Sequence, residues 1–320
     1  MNRVNSLSQL IEESKGIAVI AHVNPDGDSL GSILGLGLTL KKLSNKVDIL
    51  LNDEFPGRFK YLPGVHHIKK HSEATMEYDL VFVLDCGDAY RLGESISLIK
   101  EAKTVVNIDH HVSNDGFGHI NKVDVKASST SELVYRLIKE ELGLDIDAEV
   151  ATCLYTGIVS DTGSFKYDNT SPFTLRAAAD LMELGVNTGE VSLNLYHSNS
   201  LSSVRFLATV LNSMEILQEG KVAMITMTLE DIKTYGVQPE EMEGLINYCR
   251  DIEGVEVAVS LKEVEKGCTK ASFRGKSYFD VNLLASNFGG GGHKKASGAT
   301  IQASPKEARD LILKHIEKMI

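Results

Sequence analysis

Four short, largely apolar stretches in the first third of the chain constrain the fold most: Gly16–Ala21 (GIAVIA), Val47–Leu51 (VDILL), Leu80–Asp85 (LVFVLD) and Lys103–Asp109 (KTVVNID). Runs of this length without polar alternation belong to strands buried on both faces, as in a parallel sheet covered by helices. Helical spacing separates them. Asp28–Leu43 places Leu30, Ile33, Leu34, Leu38 and Leu43 on one side, and Ser131–Leu142, Asp147–Ser160, Phe173–Leu184 and Thr188–Tyr196 read as further helices. Strands alternating with helices predict right-handed βαβ units, and hence an α/β domain with a mostly parallel sheet flanked by helices.

A chain of 320 residues is long enough for two domains. Ser198–Ser203 (SNSLSS) is a polar break, followed by a connecting helix at Val204–Met214. Beyond it Val222–Met227, Val255–Leu261 and Thr269–Phe273 read as strands, with helices near Glu241–Cys249, Asp280–Asn287 and Pro305–Lys318. We divide the chain into residues 1–197, a linker with its helix over 198–213, and a smaller α/β domain over 214–320.

Composition excludes several classes. With 42% hydrophobic and 24% charged residues the chain is neither disordered nor fibrous. The longest apolar runs fall far short of the roughly 20 residues of a membrane span. The first residues, Met1 to Ser6, lack the apolar core of a signal peptide. The four cysteines, Cys86, Cys153, Cys249 and Cys268, have no paired spacing, which suits a reducing cytoplasm and leaves no zinc knuckle or disulfide scaffold. The net charge of −11 does not suit a protein that coats long nucleic acid. That charge is uneven: residues 1–190 carry 18 bases against 28 acids, whereas Lys262 to Lys295 carries seven bases against three acids.

The acids and histidines carry the functional signal. Ligands of an open α/β sheet bind at the carboxyl ends of its strands, and there the first strand runs into His22-Val23-Asn24-Pro25-Asp26-Gly27-Asp28, the third ends in Asp85 and the fourth in Asp109-His110-His111. Asp161 follows the helix over 148–160. Singly, each has an ordinary explanation: an Asp-x-Asp in a Pro/Gly turn is a turn or a helix cap. Together they bring five carboxylates to one sheet edge, which is severely destabilising unless a cation neutralises them. Mixed imidazole and carboxylate donors without cysteine suit Mn²⁺, or Fe²⁺, Co²⁺ or Zn²⁺, better than Ca²⁺. The donors are too many for one ion. Two ions about 3.5–4 Å apart, sharing a carboxylate, would use them and activate water for displacement at phosphorus.

In order and spacing, His22-x3-Asp26-x-Asp28, Asp85, Asp109-His110-His111 and Asp161 resemble the DHH phosphoesterase superfamily, which includes RecJ-type exonucleases, manganese pyrophosphatases of the second family and cyclic-dinucleotide phosphodiesterases. Gly289-Gly290-Gly291-Gly292-His293-Lys294-Lys295-Ala296-Ser297-Gly298 resembles the signature of the associated DHHA1 domain, which the pyrophosphatases lack. The resemblance implies a mostly parallel five-stranded sheet in the first domain; it also implies that His22, Asp26 and Asp85 hold one ion and that Asp28, Asp85, His110 and Asp161 hold the other, with Asp85 as the bridge. It implies that His111 lies near the substrate phosphate as hydrogen-bond donor or proton shuttle, with Asp109 orienting a histidine. The residues alone do not decide which histidine of the pair is the ligand.

Four consecutive glycines let backbone amides approach an anion, so Gly290, Gly291, Gly292, His293 and Arg274 are candidate substrate contacts. The resemblance implies that the DHHA1 domain holds the part of the substrate away from the metals. The Walker pattern is absent. Arg91 is either a phosphate contact or a surface ion-pair residue. Ser129 and Thr130 either cap the following helix or place hydroxyls in the cleft. Asn114 and Phe117 match a pattern of small DHH–DHHA1 proteins; Phe117 either stacks a base or packs, and Cys86 packs. Gly31, Gly35 and Gly37 do not form G-x-G-x-x-G and are read as letting a helix approach the sheet.

The bare DHH plus DHHA1 layout most resembles the bifunctional oligoribonuclease/pAp phosphatase group. The resemblance thus implies RNA of about two to five nucleotides and 3′-phosphoadenosine 5′-phosphate (pAp) as substrates, two Mn²⁺ ions, a cytoplasmic homodimer, no membrane contact and no stable complex with long nucleic acid. The alternatives are a stand-alone cyclic-di-AMP/pApA phosphodiesterase and a non-catalytic nucleotide sensor.

Overall fold

The structure, a computed structural model, describes residues 6–319 except Asn45, Thr75 and Glu243. It divides into two compact units, residues 1–198 and 199–320.

The first unit holds β1 (Ile17–Ile20), β2 (Val47–Leu51), β3 (Ile68–Lys70), β4 (Leu80–Leu84), β5 (Thr104–Asp109) and β6 (Ile120–Val123), all parallel in the order β3-β2-β1-β4-β5-β6. The sheet therefore has six strands where five were expected. The short edge strands β3 and β6 are half-exposed and carry Lys69, Lys70 and Lys122, so they lack the apolar signature of the central four. The helices are α1 (Leu7–Glu13), α2 (Gly27–Leu43), α3 (Ile96–Glu101), α4 (Thr130–Arg136), α5 (Ala148–Asp161), α6 (Pro172–Glu183) and α7 (Thr188–Tyr196).

Burial on both faces explains the unbroken apolar runs. Ile17, Val19, Phe82 and Val106 face the α2, α4 and α5 side, whereas Ala18, Ile20, Val81, Val83 and Val105 pack on Tyr78, Leu92 and Ile96 opposite. Against expectation, the α2 glycines serve helix–helix packing more than helix–sheet packing. A Cβ on Gly31 would lie 2.5 Å from the Cys153 carbonyl oxygen and one on Gly35 2.4 Å from Leu154, both in α5; only Gly37 abuts the sheet, at Ile49 of β2.

Successive strands run outward from β1 to β3, then cross to β4 on the other side of β1. That reversal between β1 and β4 opens a crevice at their carboxyl ends. Pairing of Ile20 with Val83 and Leu84 with Ile108 brings His22, Asp85 and Asp109 to the same level across three neighbouring strands.

The second unit holds α8 (Leu201–Asn212), β7 (Glu215–Leu217), β8 (Val222–Met227), α9 (Leu229–Tyr235), α10 (Leu245–Arg250), β9 (Val257–Glu265), β10 (Cys268–Gly275), α11 (Val281–Ser286), β11 (Gly291–His293), β12 (Ala296–Ile301) and α12 (Pro305–Ile316). Its sheet, β11-β12-β10-β9-β8-β7, is mixed, with β8 and β9 parallel. One face packs on Leu284, Ile312 and Ile316, and the other on Phe206, Val210, Leu245 and Cys249. The helix read from sequence as a connector, α8, thus contributes Phe206 and Val210 to this unit's core.

Candidate metal centre

The β1–α2 turn supplies the first two carboxylates. Asp26 caps α2, its Oδ1 accepting from the amides of Asp28 at 3.1 Å and Ser29 at 3.0 Å, and the residue remains exposed. Asp28 is buried, and the first amides of α4 grip it: Thr130 N donates to Oδ2 at 2.6 Å and Ser131 N to Oδ1 at 2.8 Å. Asp85, also buried, leaves β4 with φ of 56° and accepts from the Thr130 hydroxyl at 3.1 Å. Asp161 closes α5, where the negative end of the helix dipole disfavours an acid unless a cation is near.

Four of the six non-glycine residues with left-handed backbone among those described, Asn24, Asp85, Ser164 and Phe165, lie at the exits of β1, β4 and α5 that carry these groups. Strain of this kind collects where surrounding structure holds a site in place.

The histidines complete the cluster. His22 Nδ1 lies 2.7 Å from the Val23 carbonyl oxygen, a contact that requires the proton on Nδ1 and turns Nε2 toward Asp85 Oδ2 at 3.6 Å. His110 Nε2 stands 3.5 Å from Asp161 Oδ2, 3.7 Å from Asp85 Oδ1 and 4.0 Å from Asp28 Oδ2. His111 Nδ1 donates to Asp109 Oδ1 at 2.7 Å and also lies 3.7 Å from Asp85 Oδ1, while Asn114 donates to Asp109 Oδ2 at 2.7 Å.

Electrostatics set these groups apart. The hydrogen bond to Asp109 holds the His111 imidazole protonated, its pKa pushed up to about 9. Burial lowers the pKa of His110, which favours the neutral, ligating form. Burial, then the charges of Asp85 and Asp161, push the Asp28 carboxyl well up. Burial, then Asp85 and Asp26, push Asp161 up to about 8. Burial works against ionisation of Asp85 too, but His22, His111 and His110 together hold it below the ordinary range. These acids cannot all be ionised at neutral pH unless positive charge lies between them, and a divalent ion inverts that logic.

The donor set fits such ions. Ligand atoms of His22, Asp26 and Asp85 lie within 4.8 Å of one another, as do those of Asp28, His110 and Asp161; Asp85 also groups with His110 and His111. Asp85 therefore adjoins both sets. All the donors are imidazole nitrogen or carboxylate oxygen.

The other residues singled out in the sequence fall differently. Arg91 is at the centre, with Nη2 3.2 Å from His22 Nδ1. Asn114 is spent on Asp109, on Asn107 Oδ1 at 2.7 Å and, through its own Oδ1, on the Gly116 amide, so it positions Asp109 instead of facing a ligand. Ser129 and Thr130 are fully buried and cannot line an open cleft. Ser129 caps α4, and Thr130 holds Asp28 and Asp85. Phe117 packs beside the Ala18–Val83 face, and Cys86 is buried, its thiol on the Asp88 carbonyl.

In the second unit Arg274 lies on β10 opposite Ala258 and Ala296, and Gly291, Gly292 and His293 form the exposed edge strand β11. The glycine run is thus not one continuous amide nest. The amides of Gly289 and Gly290 already bond to the carbonyls of Ser286 and Ala285.

Three supports escaped the sequence reading. Ser131 acts through its amide, which every residue but proline possesses. Asn107 is buried and donates to the carbonyls of Val83 and Cys86, tying down the Asp85 exit. Gly157 lets α5 close on Asp28: a Cβ there would lie 2.0 Å from Ser131 Oγ and 2.8 Å from Asp28 Oδ1.

A parallel sheet that gathers two imidazole–carboxylate groups at its switch point offers donor sets for divalent ions there. Residues 16–158 match the family described as "DHH family, N-terminal domain", and residues 220–320 match the "DHHA1 domain". The chain is 32% identical over 302 residues, 94% of its length and 89% of the relative's, to the bifunctional oligoribonuclease and PAP phosphatase NrnA of Thermus thermophilus. It is 29% identical to the Bacillus subtilis protein of the same name, over 93% of this chain and 92% of that one. A solved exopolyphosphatase-related protein from Bacteroides fragilis superimposes with a TM-score of 0.89 at 30% identity, covering 97% of this chain and 94% of that one. The chain belongs to the DHH family of phosphoesterases and carries the DHHA1 domain. No helix among the described residues is long and apolar enough to cross a membrane.

Proposed function

We propose that the chain is a two-metal phosphoesterase that cleaves oligoribonucleotides of about two to five residues to mononucleotides and converts pAp to AMP, and that it works as a homodimer. The observation that carries this reading is the pair of ligand groups meeting at Asp85. His22, Asp26 and Asp85 would hold one divalent ion and Asp28, Asp85, His110 and Asp161 the other, with Mn²⁺ best suited to such donors. When bound, the ions supply a water of lowered pKa and charge stabilisation at phosphorus. The protein does the rest. His111, protonated and aligned by Asp109, donates a proton or hydrogen bond from Nε2 to a phosphate oxygen. Arg91 pairs with the phosphate. Thr130 and Ser131 keep the carboxylates fixed, so little reorganisation is needed as charge develops. Within the second unit taken by itself, Arg274, His293, Gly291 and Gly292 are the residues proposed to hold part of a nucleotide.

The names of the Thermus and Bacillus relatives support the substrate class. So does the charge: a net acidic chain with a modest basic patch suits a short ligand, since long polymers are held by many phosphate contacts. The test is hydrolysis of 5′-labelled RNA dimers to pentamers, and of pAp, by the Mn²⁺-loaded chain. Mononucleotides and free phosphate are the expected products, lost on chelation. Equal rates on a thirty-nucleotide strand would overturn the short-substrate reading, and faster turnover of pApA or cyclic di-AMP would redirect it.

A further inference from the structure

The two most exposed large apolar side chains among the described residues are Tyr90, at 87%, and Val112, at 78%. An isolated exposed apolar residue is ordinary. These two are set apart by position, because Tyr90 immediately precedes Arg91 and Val112 immediately follows His111. Their loops are tied together: the Asp115 amide donates to the Gly87 carbonyl at 3.1 Å, and Asn114 to the Cys86 carbonyl at 3.4 Å.

The backbone under Tyr90 is equally well fixed. Its amide donates to Asp88 Oδ1 at 2.9 Å, the Arg91 amide donates to the Asp88 carbonyl at 3.0 Å, and the Arg91 carbonyl accepts from Val23 at the β1 exit at 2.8 Å. Among the described residues no ring or cation stacks on the Tyr90 side chain, and its hydroxyl has no hydrogen-bond partner. A pinned backbone thus presents a bare aromatic side chain one residue before the guanidinium that stands at His22.

We propose that Tyr90 is the platform on which a nucleobase of the substrate stacks while the adjoining phosphate lies at Arg91 and the metal centre. The proposal rests on the nucleotide phosphoesterase reading and extends it from the phosphate to the base. Every base offers a π-face, so such a platform selects nucleotides over sugar phosphates and inorganic anions without selecting one base sequence. That property is the one needed to consume RNA fragments of any composition.

Titration calorimetry on the Mn²⁺-loaded full chain tests the platform apart from turnover, with AMP and ribose 5-phosphate as probes. The wild-type chain binds AMP more tightly than ribose 5-phosphate. Tyr90→Ala weakens AMP by about tenfold and leaves ribose 5-phosphate unchanged, whereas Tyr90→Phe keeps the AMP affinity because the ring and not the hydroxyl makes the contact. For an RNA dimer, Tyr90→Ala raises KM and leaves kcat within about twofold. Unchanged AMP affinity in Tyr90→Ala, or an equal loss for both probes, overturns the platform. A chain that binds AMP through Tyr90 yet hydrolyses no RNA keeps the platform and ends the oligoribonuclease reading.

Discussion

On the proposed two-ion reading, Asp85→Asn lowers phosphoesterase turnover by on the order of 1000-fold, since losing a ligand shared by the two ions would remove several kcal/mol of transition-state stabilisation at about 1.4 kcal/mol per decade. Asp85 is the group through which the two ligand sets meet. Its Oδ2 faces His22, and its Oδ1 faces His110, His111 and the Thr130 hydroxyl. The amide is nearly isosteric and keeps an oxygen for Thr130, so the substitution removes charge and metal affinity more than packing. Thermal unfolding separates the two effects. An ion at 100 times its Kd stabilises the native state by about 2.7 kcal/mol, which in a unit of roughly 200 residues is about 5–10 °C. Mn²⁺ therefore raises the melting temperature of the wild-type chain by more than that of Asp85→Asn. Wild-type turnover in the variant would contradict the bridging role.

Gly157→Ala is expected to cost about 1–3 kcal/mol by overpacking and about 100-fold in turnover, the scale of a 1 Å misplacement of catalytic groups. In an exposed helix this change is favourable, because alanine is the better helix former. Here the new methyl would sit 2.0 Å from Ser131 Oγ, 2.7 Å from Ser131 Cβ and 2.8 Å from Asp28 Oδ1. Relief requires α5 to retreat from α2 and α4. That movement carries Asp161 away from His110 and loosens the grip of Thr130 and Ser131 on Asp28. A melting temperature and kcat equal to wild type would show that the close approach of these helices is not needed.

How far the chain could be read in advance follows from the same physics. The central strands β1, β2, β4 and β5 are buried on both faces and announce themselves as apolar runs, whereas β3 and β6 lie at the edges with lysines and half-exposed residues. In the second unit β12 reads Ala-Ser-Gly-Ala-Thr-Ile, small residues that carry little strand signal, and the neighbouring glycines hid the edge strand β11.

The acids and histidines were legible because strand ends place them, and the structure brings His22, Asp26, Asp28, Asp85, His110 and Asp161 together. The support around them was not legible. Ser129 and Thr130 read in sequence as either helix caps or cleft hydroxyls; Ser129 is the buried cap of α4, and Thr130 clamps Asp28 and Asp85. The amides of Thr130 and Ser131 leave no trace in residue type. Gly157 looks in sequence like any helical glycine, and its importance emerges only when α2 and α4 are packed against it.

On the proposed reading, these carboxylates and imidazoles meet in order to hold a pair of divalent ions. Titration of the metal-stripped chain with Mn²⁺, followed by calorimetry, measures that directly. Two equivalents bound per chain, falling to one or none in Asp85→Asn, is the predicted result. Saturation at a single ion in the wild-type chain, or no binding at all, would contradict it.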